Sequence, residues 1–357
     1  MAESSNWTHL HAQVHRTLLY RQILPSNQRL LVAVSGGQDS LCLIKLLLDL
    51  QQKWGWNLGI VHCDHRWRSD SQASANHVEQ LAKNWGISYY LETASEISKT
   101  EAAARQWRYQ ALTEIAIAHN YPYIVTGHTA SDRAETLLYN LIRGSGADGL
   151  SALTWRRPLL DFRLEDQDEN SQSKIQNLKS KIYLVRPLLE ITRSQTGQFC
   201  QDQKLPIWED STNQDLQYSR NRIRSELLPY LETHFNPKAQ QALAQTAELL
   251  RADVEYLELA ASDLLQRAMS PIADSPQVNF QLPVKLNRPI LREAPLALQR
   301  RAMRQLLQQI LPSASSFESV EKLTSLIVAP NRSQTDPFPG GAIGRVEHPS
   351  IILDIKF

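Results

Sequence analysis

The chain has 357 residues, 42% of them hydrophobic and 21% charged, with a formal net charge of +1. That length can bury a substantial core and suits two or three domains, while the three cysteines, Cys42, Cys63 and Cys200, stand singly and exclude a disulfide framework or a Cys/His zinc site. A net charge near zero leaves nucleic-acid binding to be judged from local basic clusters.

The first 28 residues read as an N-terminal helical segment. "MAESSNWTHLHAQVHRTLLYRQ" lacks the basic-then-apolar order of a secretory signal, and no apolar run nears the ~20 residues that span a bilayer. A reducing, cytosolic setting without a membrane partner is expected. His9, His11 and His15 share no single helical or strand period and read as surface residues.

From Arg29 onward, short apolar runs alternate with longer helical patterns. Arg29 to Val34, Leu58 to Cys63, Ile87 to Leu91 and Tyr123 to Thr126 read as strands. Leu41 to Lys53, Ser71 to Trp85, Glu101 to Asn120 and Ser131 to Arg143 read as helices. This βαβα rhythm predicts an α/β fold, a Rossmann-like, mostly parallel sheet with helices on both faces, whose ligands gather at the carboxyl ends of the strands.

Just past the first strand stands SGGQDS, Ser35, Gly36, Gly37, Gln38, Asp39 and Ser40. The glycines let backbone approach a ligand, and the first amides of the helix that follows have no intrahelical partner, so they suit an anion. The triphosphate loop GxxxxGK[ST] and its lysine are absent. Asp39 would repel phosphate unless Mg²⁺ lay between them, which points to a metal-bridged phosphate; a turn with a helix-capping aspartate is the plainer reading.

The second strand ends in "VHCDHRWR", placing His62, Asp64, His65, Arg66 and Arg68 on the same sheet edge, either toward a ligand or simply in solvent. In "EAAARQWRY", Arg105 and Arg108 share a helix face with Glu101, as a surface Glu–Arg pair or as phosphate ligands. "TGHTASDRAET" sets Gly127 and His128 at a strand end and Asp132 and Glu135 on one side of the next helix start, where acidic residues can also serve only the helix dipole. Gly144, Gly146 and Gly149 follow, in a loop flexible enough to close over a site. Residues 161–181, polar and amide-rich, read as a mobile insertion. "SRNRIRSELLPYL" places Arg220 and Arg224 on one face of a helix start, a poor position for cations in the helix dipole and one that favours RNA or ligand phosphate.

The remainder is helical. Leu243, Leu250, Val254, Leu257 and Leu264 recur at helical intervals in one long amphipathic helix. Pro295 to Leu311 and Phe317 to Val328 form two more, before a pair of short strands around "GGAIGRV" and "SIILDI".

In this order, SGGQDS, "VHCDHRWR", "EAAARQWRY", "TGHTASDRAET", "WEDSTN" and "RNRIRSELLP" resemble the tRNA(Ile)-lysidine synthetases of the PP-loop ATPase superfamily, over Leu30 to about Leu231. SGGxDS alone is shared across that superfamily. Departures from the commoner pattern stand at Arg66, Trp67 and Arg133. The resemblance implies an ATP-pyrophosphatase catalytic domain over 29–215, a connecting helix over 216–236, and a helical tRNA-binding domain over 237–357, without the further C-terminal domain of longer members.

It also implies an enzyme that cleaves ATP between its α and β phosphates, transfers AMP to the wobble cytidine of tRNA(Ile) with a CAU anticodon, and admits L-lysine to displace AMP. Carried over by position, Ser35 to Ser40 hold ATP, Asp39 and Asp132 hold Mg²⁺, Glu135 faces lysine, Arg105 or Arg108 offsets charge at the α-phosphate, and Arg220 and Arg224 contact tRNA. A PP-loop tRNA sulfurtransferase and a non-catalytic nucleotide-dependent RNA-binding module are the alternatives. The three lone cysteines, read as structural, speak against the first. Oligomeric state stays open, a homodimer included.

Overall fold

The computed structural model describes residues 7–66, 70–96, 100–159, 182–208, 216–217, 219–269, 282–311 and 316–355. The expected insertion at 161–181, Trp67 and Arg68, and most of "WEDSTN" lie outside them, as does the Glu101 side chain. Two compact units divide the chain, Met1–Leu250 and Arg251–Phe357. The division falls inside one helix.

The first unit opens with helix α1 (His9–Arg21) and strand β1 (Arg29–Ala33), then alternates α2 (Gln38–Trp54), β2 (Asn57–Asp64), α3 (Ser71–Asn84), β3 (Ser88–Thr93), α4 (Glu101–Ala118), β4 (Tyr123–Thr126) and α5 (Ala130–Ile142). The short helix α6 (Ala147–Leu150) and strands β5 (Arg156–Pro158) and β6 (Tyr183–Val185) precede α7 (Arg193–Asp202). The six strands lie in the order β3-β2-β1-β4-β6-β5. All neighbours are parallel except β5, which runs antiparallel to β6 at the edge.

Period-two alternation sorts each central strand between two layers. Leu30, Val32, Ile60, Tyr123 and Val125 join Leu41, Ile44 and Leu47 of α2 in one core. Leu31, Val61, Ile124 and Leu184 face the opposite way, toward Leu112 and Ile115 of α4. Strands covered on both faces read as unbroken apolar runs, as β1 does. The sheet order turns back between β1 and β4, and such a switch point leaves a crevice at the strands' carboxyl ends.

His11 corrects the expectation of a surface residue. It is 1% exposed, completes the capping box of α1 with Thr8, and its Nε2 lies 3.0 Å from Asp49 Oδ2. A histidine in the third helical position, where Glu or Gln is usual, hid that box.

The expected helix at "SRNRIRSELLPYL" is three pieces, α8 (Ser219–Arg222), a π-helical turn (Ile223–Leu227) and α9 (Leu228–His234). Helix α10 (Ala239–Ala268) then runs from the first unit into the second. The second unit holds β7 (Val284–Asn287), α11 (Arg288–Glu293), α12 (Leu296–Ile310), α13 (Phe317–Ser325), β8 (Ala342–Glu347) and β9 (Ser350–Ile355). Its strands form an antiparallel sheet in the order β7-β9-β8, so the expected strand pair has a third member. Its core gathers Leu264 and Leu265 of α10, Leu306 and Leu307 of α12, and Leu286, Ile351 and Leu353 of the sheet.

Candidate active site

At the switch point, residues 35–40 close on the first turn of α2. Ser35 N–H donates to Ser40 Oγ (3.2 Å), which itself donates to the Gly37 carbonyl (2.8 Å). Gly36 has φ +87°, a left-handed conformation that favours glycine. Its carbonyl accepts from Trp208 N–H at 3.0 Å. Across the crevice, a Cβ on Gly127 would lie 2.9 Å from the Asp39 carbonyl oxygen, so β4 can approach the glycine loop this closely only without a side chain.

The loop opens into a cavity of 440 Å³, within the range of small-molecule sites. Ser35, Asp39 and Ser40 form one wall; Gly127, His128 and Asp132 form another. Arg108 and Tyr109 of α4, Arg193 of α7 and Arg224 of the π-helical turn complete it. His62, Asp64 and His65 of "VHCDHRWR" also line it, whereas Arg66 is exposed. His62 Nδ1 pairs with the Val34 carbonyl (2.8 Å), and Arg108 Nε donates to His65 Nε2 (3.1 Å). Burial and Arg108 hold His65 down to about 4, so it stays neutral and can accept that bond.

Three carboxylates converge on one guanidinium. Arg193 Nε donates to Asp39 Oδ2 at 2.8 Å, Nη2 lies 3.5 Å from Asp132 Oδ1, and Nη1 lies 3.7 Å from Glu135 Oε1. Thr196 Oγ1 donates to the other oxygen of Asp39 (2.5 Å). Asp132 caps its own helix, its Oδ2 accepting from Thr129 N–H and Oγ1, each at 2.8 Å. Glu135, 3% exposed, takes a two-bond grip from Arg224, Nε to Oε1 at 2.7 Å and Nη2 to Oε2 at 2.9 Å.

These neighbours set the two carboxyls apart. Burial pushes Asp132 up, but Arg193, His128 and the Thr129 hydrogen bonds outweigh it and hold the group below the usual range. In Glu135 burial prevails, aided by Asp132, and raises the carboxyl against Arg224 and Arg193. His128, beside them, is held down to about 3 by burial and then by Arg186, with Asp132 opposing.

Several expected residues stand elsewhere. The Gln38 side chain turns to α7, donating to the Arg193 carbonyl (2.7 Å) and Thr196 Oγ1 (2.8 Å). Arg105 stands behind the cavity wall on Tyr109 Oη (3.1 Å), and Arg108 is the arginine on the wall itself. Arg220 lies over the Tyr139 ring at 5.8 Å. Arg133 points away from the cavity, to Glu248 Oε2 (2.8 Å) and the Leu153 carbonyl (3.0 Å), and leaves Asp132 undisturbed. Cys42 and Cys200 are fully buried. Cys63 reaches the wall, its thiol pushed up to about 12 by burial.

Arg193 and Thr196 escaped the motif reading. Both sit in a helix opened by the capping box of Thr192 and Gln195, and Arg193 is a cation in a first turn, the same dipole mismatch that marks Arg220.

The PP-loop domain family matches residues 8–231. Over 351 residues the chain is 64% identical to a tRNA(Ile)-lysidine synthase of Nostoc sp., covering 97% of each. It is 50% identical over 341 residues to the protein of that name in Synechocystis sp., covering 96% of each. A chloroplastic tRNA(Ile)-lysidine synthase of Zygnema circumcarinatum is 42% identical over 87% of this chain and 78% of its own length. Among solved structures, the U34-tRNA thiolase NcsA of Methanococcus maripaludis shares the fold with a TM-score of 0.52 at 17% identity, over 68% of this chain and 77% of that one.

Proposed function

The chain belongs to the PP-loop domain family and, within it, to the tRNA(Ile)-lysidine synthases, and from that membership we propose how its cavity carries out the ligation. ATP is cleaved between its α and β phosphates, and AMP passes to the C2 oxygen of the wobble cytidine in a CAU anticodon. A pyrimidine oxygen leaves poorly as oxide. Once adenylated it departs with AMP when the lysine ε-nitrogen bonds to C2.

The observation that carries this reading is the meeting of Asp39, Asp132 and Glu135 on Arg193 at the mouth of the glycine loop. The loop amides and the α2 dipole take the pyrophosphate end of ATP. Arg108, on the cavity wall, offsets charge at the α-phosphate; Arg105 stands behind it. Asp39 and Asp132 already share one cation, the Arg193 guanidinium, and two carboxylates beside phosphate oxygens are the donor set that Mg²⁺ takes. When bound there, Mg²⁺ neutralises phosphate charge.

Glu135 faces the incoming amine. Free lysine, with a pKa of about 10.4, is under ~0.1% neutral at pH 7, so the amine must lose a proton as it attacks. A carboxyl raised by burial accepts that proton more readily than an exposed one. Arg224, on the cavity wall, holds both oxygens of buried Glu135, so Glu135 meets the amine, and Arg224 reaches tRNA, only when that pair exchanges partners. Arg220 is left as the phosphate contact of that helix.

Glu135→Gln tests the assignment. Pyrophosphate release dependent on tRNA and ATP should persist, while lysine transfer slows by ~10²-fold or more. Transfer at the unaltered rate would remove Glu135 from the reaction.

A further inference from the structure

Positive charge collects around the Tyr109 hydroxyl, and three elements bring it there. Arg105 of α4 donates to Tyr109 Oη at 3.1 Å, and the Arg157 guanidinium of β5 lies 5.0 Å from the ring centre. Arg186, just past β6 and 2% exposed, donates from Nη1 to the Thr154 carbonyl (2.7 Å). Its Nε is buried without a hydrogen-bond partner, and so is that of Arg157. On the other side of the edge strand, Arg156 stacks on Tyr183 at 3.7 Å, so strand alternation commits Arg157 to the Tyr109 side.

Buried Arg133 has Glu248 as its carboxylate, and half-buried Arg224 has Glu135. Among the described residues no carboxylate pairs with Arg105, Arg157 or Arg186. Burial, then Arg157 and Arg105, holds Arg186 down to about 10, with only Tyr109 opposing. Burial, then Arg220, Arg108 and Arg157, lowers Arg105 in the same way. Burial alone would raise the Tyr109 phenol, yet Arg105, Arg186 and Arg157 keep it below its ordinary range. Guanidiniums crowded without a counter-ion are unfavourable until an anion joins them, and their planar donors match phosphate.

We propose that Arg105, Arg157 and Arg186, with the Tyr109 hydroxyl, form a second phosphate site that takes a phosphodiester of the RNA substrate. It rests on the reading of the cavity as a tRNA-modifying site. Two features favour RNA over the nucleotide. Of this group only Tyr109 touches the ATP-sized cavity, and Arg105 lies within electrostatic reach of Arg220 on the helix that begins "SRNRIR". A line of arginines suits a backbone with one charge per nucleotide, and phosphate contacts fix its position without reading sequence.

The test uses the full chain and a labelled anticodon stem-loop of tRNA(Ile), with neither ATP nor lysine present, titrated at 50 to 200 mM salt. Arg157→Gln should weaken RNA binding about tenfold and make the slope of log K against log salt shallower by ~0.7–0.9, the release of one phosphate contact. Arg157→Lys should recover part of both, and ATP binding should stay within about twofold of the unaltered chain. If Arg157→Gln lowers the thermal midpoint, Arg105→Gln is read for the same slope change. An unchanged affinity and slope would overturn the proposal, as would a parallel loss of ATP binding, which would make the cluster part of the nucleotide seat. Because binding is read without catalysis, the result decides this site even in a preparation that transfers no lysine.

Discussion

At Gly127 a single methyl group is enough to force the glycine loop away from β4. A Cβ there meets the Asp39 carbonyl oxygen at 2.9 Å and Ser40 Cα at 3.2 Å, both backbone atoms that cannot turn aside. Gly127→Ala should lower stability by ~1–3 kcal/mol, read from the denaturant midpoint, and weaken ATP binding with it. His128 gives the cavity a pH signature. Its folded value is about 3 against 6.5 when unfolded, so between those values the unfolded chain binds the extra proton and stability falls as pH falls. His128→Gln should make stability less dependent on pH between 6.5 and 4 by up to one proton; an unaltered slope in thermal melts would contradict the assignment. Asp132 and Glu135 were legible because their spacing on a helix start puts both on one side. Arg193 was not, since no local pattern says which distant carboxylates a guanidinium will meet.

Among the elements, α7 does most to assemble the carboxylates. Its Arg193 and Thr196 both grip Asp39, and its backbone is tied to α5 through Arg193 N–H to Ser131 Oγ (3.1 Å). Arg193→Gln should lower stability at pH 7. Because Arg193 depresses Asp132, that deficit should narrow only below about pH 4, where the unaltered chain loses the same stabilisation as its carboxylate protonates. The π-helical turn at Ile223–Leu227 is a second such device, carrying Arg224 to Glu135. Four strands of the sheet were legible as apolar runs. β5 and β6, three residues each, were too short to show a period, and β5 has Arg, Arg and Pro where strands usually carry apolar residues. The π-helical turn has no sequence signature apart from its misplaced cations. On the far side of α5, Arg133 joins Arg21 and Trp155 Nε1 on Glu248, linking α1, α5 and the start of α10. Arg133→Met should cost roughly 1–3 kcal/mol in a denaturant titration, leaving cavity binding of ATP intact.

Across the whole molecule, a net charge of +1 means that RNA binding depends on where the arginines stand. The tRNA affinity should therefore fall steeply between 50 and 200 mM salt, in proportion to the few phosphates contacted. Among the described residues no helix is long and apolar enough to cross a membrane. The change from βα alternation to helices is visible in the sequence, whereas the division between the two units falls inside α10, which runs on without a break in pattern. The proposed function has one cavity join lysine to the wobble cytidine of tRNA(Ile). Its most direct measurement is incubation of the chain with a tRNA(Ile) CAU transcript, ATP and labelled lysine, beside a methionine tRNA control. Label should enter the isoleucine transcript alone, with pyrophosphate and AMP released in equal amounts. Absence of lysine from that tRNA, or equal labelling of both, would contradict the account.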